Sequence, residues 1–169
     1  MISSLTNQKV KQTVIWQNKA KQRKKDEVFL AEGFKMYSEA PVEWVREVYL
    51  SEDSLGKAKE NTYIWKKLLQ TGYEVVSREV FARMSDTQTP QGILAVLKQP
   101  HYDLEELLQK KQPLFLILEG LQDPGNLGTI LRTGEGAGIT GVIMTADTVD
   151  IFNPKVIRAT MGSIYRVPF

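Results

Sequence analysis

The sequence predicts an α/β protein built from two units, and three observations carry that prediction. Over residues 25–100, short segments of strand character alternate with segments of helical periodicity. A polar and charged stretch bounded by Pro100 and Pro113 comes next. Leu114–Leu118 is then a continuous apolar run, as expected of a parallel strand buried on both faces. We therefore predict a first unit over residues 1–99, a linker over 100–112 and a second unit over 113–169.

The first unit opens with a predicted helix over residues 7–19, in which Val10, Val14 and Ile15 recur at helical spacing. A lysine-rich segment over residues 19–25 continues it. Alternating strands and helices follow, with Pro41 and Gly72 ending helices. The predicted strands are 28–33, 45–53, 73–77 and 93–99, and the predicted helices are 34–40, 59–72 and 78–86.

The second unit shows two predicted strands, over residues 114–120 and 139–144, each followed by a helix. The helices are predicted within 123–138, after a loop, and over 153–162. A parallel sheet of two strands is too small to form a domain. We therefore expect further residues or another chain to complete this sheet.

Composition removes several classes of function. The chain of 169 residues has no cysteine, which excludes disulfides, thiolate nucleophiles and cysteine-bound metals. Its single histidine, His101, argues against a Ser-His-Asp hydrolase, and we expect no metal site. The longest apolar runs have five residues, too short to span a bilayer, and the N-terminus lacks the apolar core of a signal peptide. We expect a cytoplasmic protein with no membrane partner.

The net charge of +2 conceals a basic N-terminal end. Residues 1–35 hold eight lysines and arginines against three acids, so that segment carries +5 and the remainder −3. Such asymmetry is typical of a polyanion-binding protein, although a solvated helix face gives the same pattern. The candidate RNA-binding cations are Lys9, Lys11, Lys19, Lys21, Arg23, Lys24 and Lys25. Four aromatic residues are candidates for base stacking or, more commonly, for the core: Trp16, Tyr37, Trp44 and Trp65.

Residues 136–141 match the G-x-G-x-x-G pattern of dinucleotide-binding proteins, but their context does not fit. That pattern requires a strand before it and a helix after it, whereas here a helix precedes and a strand follows. We interpret this segment as a glycine-rich helix exit and reject a nucleotide-dependent enzyme.

Residues 123–132 are a stronger candidate site, because ligands of open α/β sheets bind at loops that follow parallel strands. Pro124 favours a turn, and Asn126 is predicted to cap the helix. Gly128 is predicted to let a ligand approach the backbone. Arg132 would present a fixed cation to a phosphate or carboxylate. The alternative is an ordinary helix start with a surface arginine.

Two segments of the second unit resemble the SpoU family of RNA 2′-O-ribose methyltransferases, in the SPOUT superfamily. They are LEGLQDPGNLGTILRTGEGAGITGVIM and NPKVIRATMGSIYRVPF, which contain the N-x-G-x-x-x-R motif as Asn126, Gly128 and Arg132. FLAEGFKMYSEA and SDTQTPQGILAVL in the first unit resemble the family's substrate-binding domain, which is similar to RNA-binding ribosomal proteins. The resemblance covers nearly the whole chain.

The resemblance implies a function. The first unit would bind substrate RNA and the second would transfer a methyl group from S-adenosylmethionine to a ribose 2′-hydroxyl. Arg132 and Asn126 would be the catalytic residues, in a homodimer, with ribosomal RNA a more typical substrate than transfer RNA. The alternative is a non-catalytic RNA-binding or ribosome-assembly protein.

The family's later motifs, which build most of the S-adenosylmethionine pocket and its trefoil knot, have no counterpart before Phe169. The resemblance therefore implies an incomplete methyltransferase domain. We expect the 169-residue chain alone to be inactive and the cofactor to contact residues beyond Phe169.

Overall fold

The computed structural model describes residues 1–169 and divides them into two compact units, Met1–Gln99 and Pro100–Phe169. No helix combines the length and the apolar character needed to cross a membrane.

The first unit is a four-stranded sheet with six helices. The strands are β1 (Val28–Glu32), β2 (Val45–Ser51), β3 (Glu74–Val76) and β4 (Ile93–Lys98). Their order is β1-β4-β2-β3, with β4 antiparallel to both neighbours and β2 parallel to β3. The helices are α1 (Gln8–Asn18), α2 (Ala20–Asp26), α3 (Phe34–Glu39), α4 (Leu55–Glu60), α5 (Thr62–Thr71) and α6 (Arg78–Met84).

Side chains from the sheet, α1 and α6 form the core of this unit. Trp16 and Tyr37 are both buried, so two of the four aromatic candidates belong to the interior, while Trp44 and Trp65 are half-buried. One core cluster joins Val10, Trp16, Val28, Leu30, Tyr49, Val76, Val80, Phe81, Met84, Leu94 and Val96.

The predicted helix over 59–72 is wrong in one respect, because the structure has two helices there, separated at Asn61. The backbone of Asn61 is extended, and its side-chain oxygen accepts a hydrogen bond from the amide of Ile64 at 3.1 Å. An asparagine that caps a new helix competes with continuation of the preceding one. Apolar periodicity does not detect that competition.

Arg23 does not lie among the exposed cations of the basic end. Its side chain is buried, and its guanidinium donates to the carbonyl oxygens of Trp16 at 2.7 Å and Gln17 at 3.1 Å. These carbonyls belong to the last turn of α1, where no helical amide is available to them. The prediction that Arg23 binds RNA is therefore wrong, because the residue joins α2 to the end of α1.

Replacing Arg23 with alanine is expected to lower the free energy of unfolding by about 1–3 kcal/mol, since buried carbonyls lose a charged donor. Urea denaturation of the full chain measures this change. Lys24→Ala is the matched control, because Lys24 is exposed on the same helix and its loss should cost less than about 0.5 kcal/mol. Equal effects of the two substitutions would contradict this role of Arg23.

The second unit contains a two-stranded sheet and three helices: α7 (Leu104–Leu108), β5 (Phe115–Leu118), α8 (Pro124–Gly136), β6 (Gly141–Met144) and α9 (Pro154–Thr160). The strands are parallel, with Phe115 opposite Gly141 and Leu118 opposite Met144, so the predicted parallel pairing is confirmed. On the sheet face that carries Ile117 and Ile143, both side chains are exposed, Ile117 to 73%.

Candidate functional site

The loop after β5 leads into α8 through Asp123, Pro124 and Gly125. The Asp123 carboxylate accepts a hydrogen bond from the amide of Asn126 at 2.7 Å, and Pro124 occupies the first helical position, where it needs no donor. Asp123 is thus the capping residue, and the prediction that Asn126 caps the helix is wrong. The side chain of Asn126 is exposed and makes no hydrogen bond, so its amide is available to a ligand.

Arg132 is exposed on α8, in neither a hydrogen bond nor an ion pair. It lies six positions after Asn126, which corresponds to about 9 Å along the helix axis and about 120° around it. No hydrogen bond joins the two side chains, so Asn126 does not orient Arg132 here. The helix therefore presents an exposed, permanently charged guanidinium with all its donors unused.

Gly128 does not face solvent, contrary to the prediction that it admits a ligand. It is buried against α9, where an added Cβ would lie 2.8 Å from the carbonyl carbon of Ala159 and 2.9 Å from the carbonyl oxygen of Val156. Gly128 therefore allows α8 and α9 to pack closely against each other. It sets the position of α8, and through α8 that of Arg132.

Sequence reasoning missed the role of Glu135, one turn after Arg132. Its carboxylate accepts hydrogen bonds from Arg166 and from the hydroxyl of Ser163, which tie α8 to the segment after α9. These bonds hold the pKa of Glu135 below its ordinary value of 4.5. The guanidinium of Arg166 forms an ion pair with this carboxylate. Arg166 and Ser163 lie 31 and 28 residues after Glu135, so local spacing could not indicate these contacts.

The lowered pKa of Glu135 makes the second unit sensitive to acid. A carboxylate whose pKa is lower in the folded state stabilises the protein above its unfolded pKa, and that stability is lost as pH falls through the folded pKa. We expect Glu135→Gln to be less stable than the wild type near neutral pH and the difference to shrink as the pH falls below 4.5. Thermal unfolding across this range measures it. Glu119→Gln, at an exposed carboxylate beyond β5, controls for the loss of one charge.

The loops at the carboxyl ends of β5 and β6 bond to each other. The hydroxyl of Thr145 accepts from the amide of Gly120 at 3.0 Å and donates to Asp147, while Gln122 donates to the carbonyl oxygen of Asp147. These hydrogen bonds hold the two loops against each other.

The basic end of the first unit is mostly available to a polyanion. Lys9 forms an ion pair with Glu74, which raises the pKa of the lysine. The other predicted cations are exposed, apart from the buried Arg23: Lys11, Lys19, Lys21, Lys24 and Lys25.

Two families of known proteins match the two units of the chain separately. Residues 7–95 match the MRM3-like substrate binding domain, and residues 113–169 match the SpoU rRNA Methylase family. The two units thus define a class of protein in which a substrate-binding domain precedes a methylase domain. The chain belongs to the SpoU rRNA methylase family.

Named relatives show the same similarity. The chain is 36% identical over 169 residues to the 23S rRNA (guanosine(2553)-2′-O)-methyltransferase RlmP of Bacillus subtilis, covering 99% of this chain and 63% of RlmP. It is 48% identical over 88 residues to the human mitochondrial rRNA methyltransferase 3, covering 50% of this chain and 21% of that protein. The chain thus spans less than two thirds of the length of these relatives.

Solved structures show the fold. The crystal structure of an AdoMet-bound rRNA methyltransferase from Sinorhizobium meliloti superposes with a TM-score of 0.80 at 27% identity. The match covers 99% of this chain and 62% of that chain. The predicted α/β fold of a SPOUT methyltransferase is therefore confirmed.

Proposed function

We propose that this chain is part of an RNA methyltransferase that transfers a methyl group from S-adenosylmethionine to a ribose 2′-hydroxyl of ribosomal RNA. The unpaired guanidinium of Arg132 carries the proposal, because a permanent cation with unused donors suits a polyanionic substrate. The family and the names of the relatives support the reaction, the cofactor and the ribosomal substrate.

In the reaction, the 2′-oxygen forms a bond to the methyl carbon, the carbon–sulfur bond breaks, and the hydroxyl proton is released. S-adenosylmethionine supplies an activated methyl group when bound. Arg132 stays protonated and is therefore a poor general base. Its role is to hold the phosphate beside the reacting ribose and to stabilise negative charge as it develops on the 2′-oxygen. Asn126, exposed in the first turn of the same helix, is suited to hydrogen-bond the ribose.

The cellular location and the oligomeric state of the enzyme are part of the same proposal. We propose a cytoplasmic homodimer in which Arg132 of one subunit faces cofactor held mainly by the other. The internally bonded loops of this unit are consistent with cofactor contacts supplied from elsewhere.

Methyl transfer to RNA from a strain that lacks the protein tests the proposal. The full-length protein, incubated with labelled S-adenosylmethionine and that ribosomal RNA, is expected to make one site resistant to alkaline hydrolysis, because a 2′-O-methyl group blocks attack by the 2′-oxygen. Label on a base, or no transfer to any RNA together with tight RNA binding, would favour a different activity or a non-catalytic RNA-binding protein.

A further inference from the structure

We infer that a groove between α3 and α5 of the first unit binds single-stranded RNA, with an unpaired base stacked on the exposed ring of Tyr63 and lysines on the flanking phosphates. The inference rests on the proposed function, since it names how the substrate-binding unit would hold its RNA. The groove has a volume of 320 Å³ and is lined by Phe34, Lys35, Ser38, Asn61, Tyr63 and Ile64.

Tyr63 presents an aromatic ring to solvent at the edge of this groove. Its side chain is 63% exposed, although aromatic residues usually bury most of their surface. The hydroxyl donates to the carbonyl oxygen of Ser38 at 3.2 Å, which links the ring to the end of α3. The ring is thus both accessible and tethered, as a stacking surface requires.

The groove is built on a fixed frame. Lys67, on α5, is buried, and its ammonium donates to the carbonyl oxygens of Ser38, at 3.0 Å, and Ala40. Burial lowers the pKa of Lys67, and the charge of Glu43 partly opposes that shift. Because α3 and α5 are joined at this point, binding requires little reordering of the groove walls, which favours affinity.

Two lysines lie beside the groove. The ammonium of Lys57 lies 4.9 Å from the centroid of Phe34, and Lys35 is exposed in an ion pair with Glu39 at 3.9 Å. The groove lining itself contains no acidic residue. Cations beside accessible aromatic rings are the combination by which proteins hold single-stranded nucleic acid.

Asn61 adds a donor for a base edge. Its side-chain oxygen caps α5, and its NH₂ group, which makes no hydrogen bond, belongs to a residue that lines the groove. An acidic peptide would satisfy the lysines but would leave the ring face of Tyr63 and this amide unused. The whole set of groups therefore favours an unpaired nucleotide.

The test is RNA affinity of the full-length protein, measured by fluorescence anisotropy with a labelled single strand of about 12 nucleotides. Tyr63→Ala is expected to weaken binding about 5- to 100-fold. Tyr63→Phe should weaken it less, because it keeps the stacking ring and loses only the hydrogen bond to Ser38. Leu69→Ala is the matched control: Leu69 lies on the same helix with the same 63% exposure, and its loss should leave affinity unchanged.

Salt dependence tests the lysines. Lys35→Ala and Lys57→Ala are each expected to reduce the slope of log affinity against log salt by about 0.7, the value for one phosphate contact with a single strand. Duplex RNA of the same sequence should bind less tightly than the single strand, and its affinity should not change with Tyr63→Ala.

The inference is overturned if Tyr63→Ala binds the single strand like the wild type, or if polyglutamate competes as well as RNA does. The proposed function is judged separately, by methyl transfer. Unchanged affinity of Tyr63→Ala, together with loss of binding when Lys21, Lys24 and Lys25 become alanine, would place RNA on the basic end and leave the methyltransferase assignment intact.

Discussion

Arg132→Ala in the full-length protein is expected to lower the rate of methyl transfer about 100- to 1000-fold, the usual effect of removing one group that stabilises developing negative charge. The substitution should leave the fold intact, because Arg132 is exposed and bonds to no other side chain. RNA affinity should fall little, since one phosphate contact among many is lost. Single-turnover transfer of labelled methyl groups, together with circular dichroism, measures these effects.

Arg132→Lys separates charge from geometry. Lysine keeps the positive charge but lacks the planar fork of donors, so we expect partial recovery, with turnover between those of the wild type and the alanine variant. Full turnover in Arg132→Ala would remove the residue from the catalytic site. An unfolded Arg132→Ala protein would show instead that the side chain has a structural role.

Gly128→Val is expected to lower the free energy of unfolding by about 3 kcal/mol or more. The valine side chain would overlap the backbone of Ala159 and the carbonyl oxygen of Val156, and backbone atoms of α9 cannot move aside as a flexible side chain would. Because α8 carries Arg132, residual folded protein should also lose methyl transfer. Urea denaturation measures the first effect and transfer at low temperature the second.

Gly136→Val is the matched control for this substitution. Gly136 lies at the end of the same helix, is exposed, and has no atom within 4 Å of an added Cβ. We expect a change of about 0.5 kcal/mol or less. Equal destabilisation by the two valines would mean that helix propensity, rather than contact with α9, determines the cost at Gly128.

Most elements of the fold could be predicted from the sequence because they depend on local patterns. The apolar run at Leu114–Leu118 indicated a parallel strand, and the structure pairs it in parallel with Gly141–Met144. The predicted burial on both faces is wrong for these residues, since Ile117 is 73% exposed. The split at Asn61 was missed because a capping side chain overrides a continuous apolar period.

The candidate site could be predicted only in part. The residues with free, exposed side chains, Asn126 and Arg132, lie on one helix as the motif indicated. The roles given to their neighbours were wrong, because residue type alone does not distinguish a glycine that faces a ligand from Gly128, which faces a helix. In the same way, a lysine-rich segment does not show that Arg23 is buried.

The sequence by itself determined the order of strands and helices, the basic end and the motif that carries Arg132, because each depends on residues within a few positions of one another. Only the tertiary structure decided which charged groups remain free. Arg166 pairs with Glu135 across 31 residues, and Tyr63 bonds to Ser38 across 25. Such meetings depend on how separate helices pack, and that packing is set by the core as a whole rather than by any local pattern.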